Sequence, residues 1–539
     1  MNAPKFEAGP LTVVKIGGGL LGDPAALARA CGSVARRRLR GERVLVVISA
    51  LRGVTDALER AVLLALDPRS GHELVRDVME RLHAQHARMA SGLPDPESVL
   101  LRLQPVFDGL ERLLTGIRLT GEATPRSRDL AMAQGERLAA PLVAAGILAA
   151  GADARAVTSE EAGLVATGSF RVGSCDLAAS APSVGGLTHE LHDRALVLTG
   201  FYGVNRDGDV VLFGRGGSDY TAGVAAALLG ADRLELWKDV PGFMTADPRE
   251  VQGAHLVPEL SFDEACELGL YGARIMHPRC LDPLRGRPIA VSVRSIDEVD
   301  AIGTALIEKR QGRRPEVVAL AARRDVAVVR VQDAAMINEP GVAGRILTAM
   351  GAAGINVDAV GSSMSSLSFT IGREQSALAR RTLRLLAESG ANGLGSITIL
   401  EQAALLGVVG DGLAGDARIG GRLLSCLGEL GIDVALVSHG PGDVGLSCVV
   451  AEGELQRALT ALHAAFFGGV PSTRAGGRAR ERRSTDRRDE SVERRHVERR
   501  AGERRGREKG AEAGGSARGA RRGERGGEAR EGGRRAQPS

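Results

Sequence analysis

Residues 11–19 read LTVVKIGGG, and residues 43–49 read RVLVVIS. Each is a short apolar run rich in β-branched residues, the pattern of a strand buried on both faces. The first run stops at three glycines, and a helical stretch over about 24–40 separates it from the second. Strand, helix, strand at this spacing is a βαβ unit, which implies a parallel sheet. Helical patterning then dominates 56–118, with a loop at 92–96. From about 129 to 240 the alternation returns, with strands at 195–201, 210–213 and 233–237 and a helix at 219–229. The expected fold is α/β: a doubly wound, mainly parallel sheet over 1–310.

Beyond it, EKRQGRRPE (308–316) reads as a charged linker. Two similar segments follow, GVAGRILTAMGAAGINVDAVGSS (341–363) and IGGRLLSCLGELGIDVALVSHG (419–440). Both read helix, Gly-Ile-Asn/Asp-Val, strand, the mark of a repeated βαββαβ sandwich. The units are placed at 323–400 and 401–470, with 317–322 available to complete the second. Residues 472–539 carry a net charge of +10, which leaves −6 on the rest of the chain. This glycine-rich, Arg/Glu-repetitive tail (471–539) has too little apolar surface to offset chain entropy, so disorder is expected. Without interleaved aromatics it is not read as a nucleic-acid binder. No apolar run reaches the roughly 18 residues of a membrane span. No basic-then-apolar leader is visible at the N-terminus. Six scattered cysteines without a C-x-x-C suggest reduced thiols in a cytoplasmic protein.

Three motifs carry chemistry. The chain has 70 Lys and Arg but only five lysines, so Lys15 before Gly17, Gly18 and Gly19 is conspicuous. Glycines at a strand-to-helix turn let backbone N–H groups approach phosphate oxygens. The turn is neither a Walker A loop nor G-x-G-x-x-G. In LFGRGGSDYT (212–221), Arg215 lies among glycines and Ser218 or Asp219 falls near a helix N-cap. In LWKDVPGFMTADPR (236–249), Lys238 and Asp239 close a strand, where open α/β sheets bind ligands. Trp237 is read as core and Asp247 as turn or nucleotide contact. His83 and His86 have helical metal-ligand spacing, but without a third ligand they read as an exposed helix face. No metal-ligand set is assigned.

VVKIGGG (13–19), ISALRGVTD (48–56), GERL (135–138), GFYG and LFGRGGSDYTA (200–222), WKDVPGFMTADPR (237–249) and PELSFDEACELGLYGARIMHP (258–278) together resemble the aspartate kinases of the amino acid kinase superfamily. The paired C-terminal units resemble the ACT domains that regulate that family. The resemblance implies ATP- and Mg²⁺-dependent phosphorylation of the aspartate β-carboxylate to 4-phospho-L-aspartate, serving lysine, threonine and methionine synthesis. The nucleophile is already an anion at neutral pH, so no general base is required. It implies that Lys15 and Asp219 are catalytic. Lys15, Gly17, Gly18, Lys238, Asp239, Met244, Asp247, Arg249, Arg274 and Ile275 would line the nucleotide. Thr55, Glu136, Arg215, Ser218 and Asp219 would hold L-aspartate. Met336, Asn356, Val357, Asp358 and Ser363 would take an amino-acid effector, lysine or threonine, and ACT pairing implies a homodimer or higher homo-oligomer. The sequence departs from the family at Gly19 and Leu20, where hydroxyl residues are usual, and at Arg274, Met244 and Met364. Two alternatives stand beside this reading: another amino acid kinase, and an amino-acid sensor whose kinase site has decayed.

Overall fold

The computed structural model describes residues 9–69, 72–273, 275–301, 303–310, 317–337, 339–389, 394–413, 416–440 and 443–468. The tail from 471, linker residues 311–316 and Arg274 lie outside the described residues.

An eight-stranded sheet runs in the order Glu259–Ser261, Thr304–Ile307, Ala290–Ser295, Arg233–Lys238, Leu11–Ile16, Arg43–Ile48, Ala195–Thr199, Ala154–Val157. Ala290–Ser295 pairs antiparallel with Thr304–Ile307, and the other neighbours are parallel. The apolar runs are continuous because both faces are covered. Val13, Leu45, Leu196 and Leu236 face one core with the helices Leu177–Asp193, Gly217–Leu229 and Phe262–Leu270. Val14, Val46, Val197 and Trp237 face the other, under Pro24–Leu39, Val54–Leu66, Pro96–Thr120 and Pro125–Ala149. Neighbours in sequence thus point into opposite layers, as the two-residue period of a strand requires.

Two expectations are corrected. The stretch 210–213 does not join the main sheet: Val210–Leu212 forms a separate ribbon with Tyr202–Val204. His86 is not on an exposed face. It is fully buried, its Nδ1 2.7 Å from the Leu82 carbonyl, and His83 stacks on Phe107 with ring centroids 3.6 Å apart. Trp237 is core, with no exposed surface, and its indole N–H donates to Glu235 at 3.0 Å. Among the described residues no helix is long and apolar enough to cross a membrane.

The C-terminal region builds one six-stranded antiparallel sheet: Val360–Ser363, Ser366–Gly372, Ala319–Gln332, Ser396–Val409, Gly445–Ala451, Val434–Ser438. Its two central strands, 14 residues each, pair along nearly their whole length. Residues 319–323 pair with 405–409, and 326–332 pair with 396–403 across two register shifts. The sheet curls until its ends meet, so that a Cβ on Gly361 would sit 2.9 Å from Leu436. Separate apolar cores lie beneath Val342–Ala352 and Ser376–Ser389, and beneath Ala417–Glu429 and Leu455–Phe467.

Candidate active site

The site forms at the C-terminal edge of the parallel strands. Lys15 pairs in register with Val47 on one side and Leu236 on the other, one residue before Leu11–Ile16 ends. Gly17 continues extended and Gly18–Leu20 makes a single 3₁₀ turn. A Cβ on Gly18 would fall 1.7 Å from the Ala50 carbonyl, so this strand end and the loop after Arg43–Ile48 can meet only through glycine. Gly19 is exposed, and a Cβ there meets nothing within 4 Å.

Lys15 is 7% exposed, and its ammonium lies 2.7 Å from Asp219 Oδ1. Lys238, at the end of Arg233–Lys238, lies 3.7 Å from the same oxygen. The His277 amide donates to Asp219 Oδ2 at 3.2 Å. Burial works to raise the Asp219 pKa, but Lys15 and Lys238 outweigh it, and the carboxyl is held well below the usual range. Burial lowers the Lys238 pKa, and Lys15 adds to that; Asp219 opposes it. Two ammonium groups thus share one carboxylate, leaving a surplus positive charge at the mouth of the sheet.

Glu136 comes from the middle of Pro125–Ala149. Its Oε1 accepts the Ala50 N–H at 2.9 Å, while its buried Oε2 has no hydrogen-bond partner among the described residues. Burial pushes its pKa up to about 8, against the Ala50 amide and the Lys15 charge. A buried carboxyl with a free oxygen is short of a cation.

Asp219 and Ser218 do not cap their helix, contrary to expectation. Gly217–Leu229 is capped by Gly216, in the left-handed region at φ 71° and with no side-chain cap bond. A Cβ on Gly216 would lie 2.1 Å from that of His277, which enforces glycine twice over. Ser218 is buried in the first turn, and Arg215 before it is exposed beside His277. Thr55 is half-buried in the first turn of Val54–Leu66. Asp239 is exposed, and Met244 is half-buried in a bridge to Leu256. Asp247 accepts the Arg249 amide at 2.9 Å and pairs with its guanidinium at 2.6 Å. Ile275 is half-buried. The structure therefore gathers Lys15, Gly17, Gly18, Asp219 and Lys238. Among the described residues, no hydrogen bond or ion pair ties Met244, Asp247, Arg249 or Ile275 to that cluster. Sequence reasoning missed the Ala50 and His277 amides, since backbone donors leave no residue signature, although His277 lies in the quoted GARIMHP stretch.

In the C-terminal sheet, Val357 and Met336 pack partly against the first core. Asn356, Asp358 and Ser363 are exposed. Asp358 pairs with Arg323 and accepts from the Asn356 side chain at 3.1 Å. The Ser363 hydroxyl lies 2.7 Å from that of Ser366. Gly354, and not Asn356, takes the left-handed conformation, at φ 71°.

A parallel sheet whose strand ends gather two ammonium groups is thus followed by a curled antiparallel sheet. The profile of the amino acid kinase family matches residues 10–295, and that of the ACT domain matches 329–384 and 406–466. Aspartokinase 1 (chloroplastic) of Arabidopsis thaliana is 30% identical over 437 residues, 79% of this chain and 75% of the plant protein. E. coli aspartokinase III, solved in its T-state with lysine and aspartate, is 25% identical with a TM-score of 0.72, covering 85% of this chain and 99% of the other. The same protein in its R-state, with aspartate and ADP, gives 24% identity and a TM-score of 0.72 over 85% and 100% of the two chains. The chain belongs to the amino acid kinase family, as an aspartokinase with C-terminal ACT domains. It is therefore a nucleotide-dependent kinase of aspartate under allosteric control.

Proposed function

We propose that the chain transfers the γ-phosphoryl group of ATP to the β-carboxylate of L-aspartate, forming 4-phospho-L-aspartate for lysine, threonine and methionine synthesis. The observation that carries this reading is the Lys15–Asp219–Lys238 cluster at the strand ends, beside the Glu136 carboxyl with its free oxygen. The acceptor carboxylate is ionised at neutral pH, so catalysis reduces to positioning and to neutralising the charge of the transferring group. Lys15 and Lys238 supply positive charge where it develops, and Asp219 fixes their ammonium groups in place. Gly17 and Gly18 let the turn's amides reach phosphate oxygens. Glu136 takes the α-ammonium of aspartate, while Thr55, Arg215 and Ser218 serve its carboxylates. Asp239, Met244, Asp247, Arg249, Arg274 and Ile275 lie along the nucleotide.

Among the described residues no group of three His, Cys, Asp or Glu side chains could hold a metal ion. Mg²⁺ would therefore be carried chiefly by nucleotide oxygens and water, as is common for this ion, and no step is assigned to it. Met336, Asn356, Val357, Asp358 and Ser363 receive lysine or threonine, for which the lysine in the E. coli T-state structure gives support. An effector ammonium would displace Arg323 from Asp358. We further propose a catalytic domain over 1–310, ACT domains over 323–400 and 401–470 with 317–322 completing the second, and at least a homodimer. All six cysteines are free thiols, which supports a reducing, cytoplasmic setting.

The test is a hydroxylamine trap with ATP and Mg²⁺, offering aspartate or glutamate, with and without lysine or threonine. Aspartate-dependent hydroxamate that falls on adding an effector supports the reading. Product with glutamate alone would overturn the substrate assignment.

A further inference from the structure

Asp129 lies seven residues before Glu136 in Pro125–Ala149, two turns away on the same face. It is fully buried. Its Oδ2 accepts two backbone amides, from Arg171 at 2.8 Å and Leu212 at 2.9 Å. Its Oδ1 has no hydrogen-bond partner among the described residues. Burial raises its pKa, while the two amides oppose that.

Both amides belong to the frame of the Arg215 turn. Leu212 ends the ribbon strand that runs into Phe213, Gly214 and Arg215. Arg171 has φ 72°, and only Phe201 shares a positive φ among the described non-glycine residues. That backbone is unfavourable for an L side chain and persists only where its surroundings hold it. A Cβ on Gly214 would lie 3.0 Å from the Arg171 carbonyl, so the two segments are in close contact. Arg279 holds the same turn with bonds to the Phe213 carbonyl at 2.6 Å and the Gly173 carbonyl at 3.0 Å. The Arg171 guanidinium lies 3.6 Å from Glu59, four residues after Thr55 on Val54–Leu66. The segment pinned by Asp129 therefore touches the elements that carry Arg215 and Thr55, and the pin stands on the helix that carries Glu136.

We propose that Asp129 is a positioning residue for aspartate: through the Arg171 and Leu212 amides it sets the Arg215 turn, and so the separation of Arg215 from Glu136. The inference rests on the reading that Arg215 takes a substrate carboxylate. Ammonium and carboxylate are fixed features of an α-amino acid, so their receptors must be held at a fixed distance.

The experiment is steady-state kinetics on the full chain for D129A, R215A, the double variant and D129N. The proposal expects D129A to raise the aspartate KM tenfold or more while the ATP KM stays within twofold. In the R215A background D129A should add almost nothing, because both act on one contact. A role in stability alone would lower the active fraction without a selective rise in one KM. Where D129A folds, it decides: an aspartate KM within twofold of the parent, or effects of D129A and R215A that simply multiply, overturns the proposal. If D129A does not fold, D129N decides. It keeps an oxygen acceptor but loses the charge, and should raise the aspartate KM about threefold, an increase absorbed by R215A. An unchanged KM or multiplying effects would overturn it. An R215A enzyme with a parental aspartate KM removes the Arg215 reading itself, and the proposal falls with it.

Discussion

The two candidate binding regions are built in opposite ways. At the catalytic edge Lys15, Asp219 and Glu136 are all less than a tenth exposed, and each meets a partner on another element. In the first ACT unit Asn356, Asp358 and Ser363 are exposed, and Asp358 is held by a half-buried arginine. Buried charges gain strength from the low local dielectric but cannot rearrange cheaply. Exposed ones are weaker and easily exchanged. The first arrangement suits a reaction whose charges must be in place beforehand, and the second suits a ligand that has to displace something.

Breaking the catalytic side should have the largest effect. On the proposed reading Lys15→Ala removes one of two cations at the transferring group, and kcat should fall on the order of 10²–10³-fold, read by hydroxamate formation. A loss below tenfold would place the charge elsewhere. If Glu136 takes the substrate ammonium as proposed, Glu136→Gln removes a charge-assisted contact worth about 1.5–3 kcal/mol, and the aspartate KM should rise at least tenfold. The same group sets a pH dependence. With its pKa raised to about 8 in the free site, Glu136 is protonated below that pH and poor at receiving an ammonium. The kcat/KM for aspartate should therefore climb as pH rises toward 8 and level off above it. In Glu136→Gln that climb should vanish; an identical climb in the variant would assign it to another group.

The regulatory side should give way more gently. Asp358→Asn should raise the half-inhibiting effector concentration about tenfold, the scale of one lost charge-assisted contact, measured as inhibition curves with lysine and threonine. Unaltered curves would move the effector site elsewhere. The smallest effect concerns Gly19, where added side-chain atoms meet no neighbour within 4 Å. Gly19→Thr restores a hydroxyl near the phosphate turn and should raise kcat by no more than about threefold, a fraction of one hydrogen bond. A fall in kcat would show that the turn needs glycine for its backbone.

Much of the kinase fold was legible because strands buried on both faces write themselves as unbroken apolar runs. Val44–Ile48 is such a run, and Leu11–Ile16 is one but for Thr12 and Lys15. The small ribbon at Val210–Leu212 misled for the same reason: it is also fully buried, but outside the main sheet. The expected roles of Lys15 and Asp219 came only from the family resemblance, but both were legible as members of glycine-rich motifs. Their mutual pairing was not, since it joins positions about two hundred residues apart. His86 was misjudged because the three-residue spacing from His83 says nothing about which neighbour covers it, here Phe107. The central ACT strand was obscured by Arg323, Arg324 and Asp325, which break the apolar pattern where the register shifts.

That strand and its partner bear on any attempt to free the enzyme from allosteric control by shortening it. Ala319–Gln332 and Ser396–Val409, each roughly 45 Å long at about 3.3 Å per residue, serve both ACT units at once. Excising the second unit beyond 409 would strip Gly445–Ala451 from its neighbour and lay bare the apolar edge of residues 403–409. Such an edge recruits other chains. Trimming of that kind should yield aggregates before it yields a deregulated catalyst, whereas a substitution at Asp358 leaves the shared strands paired.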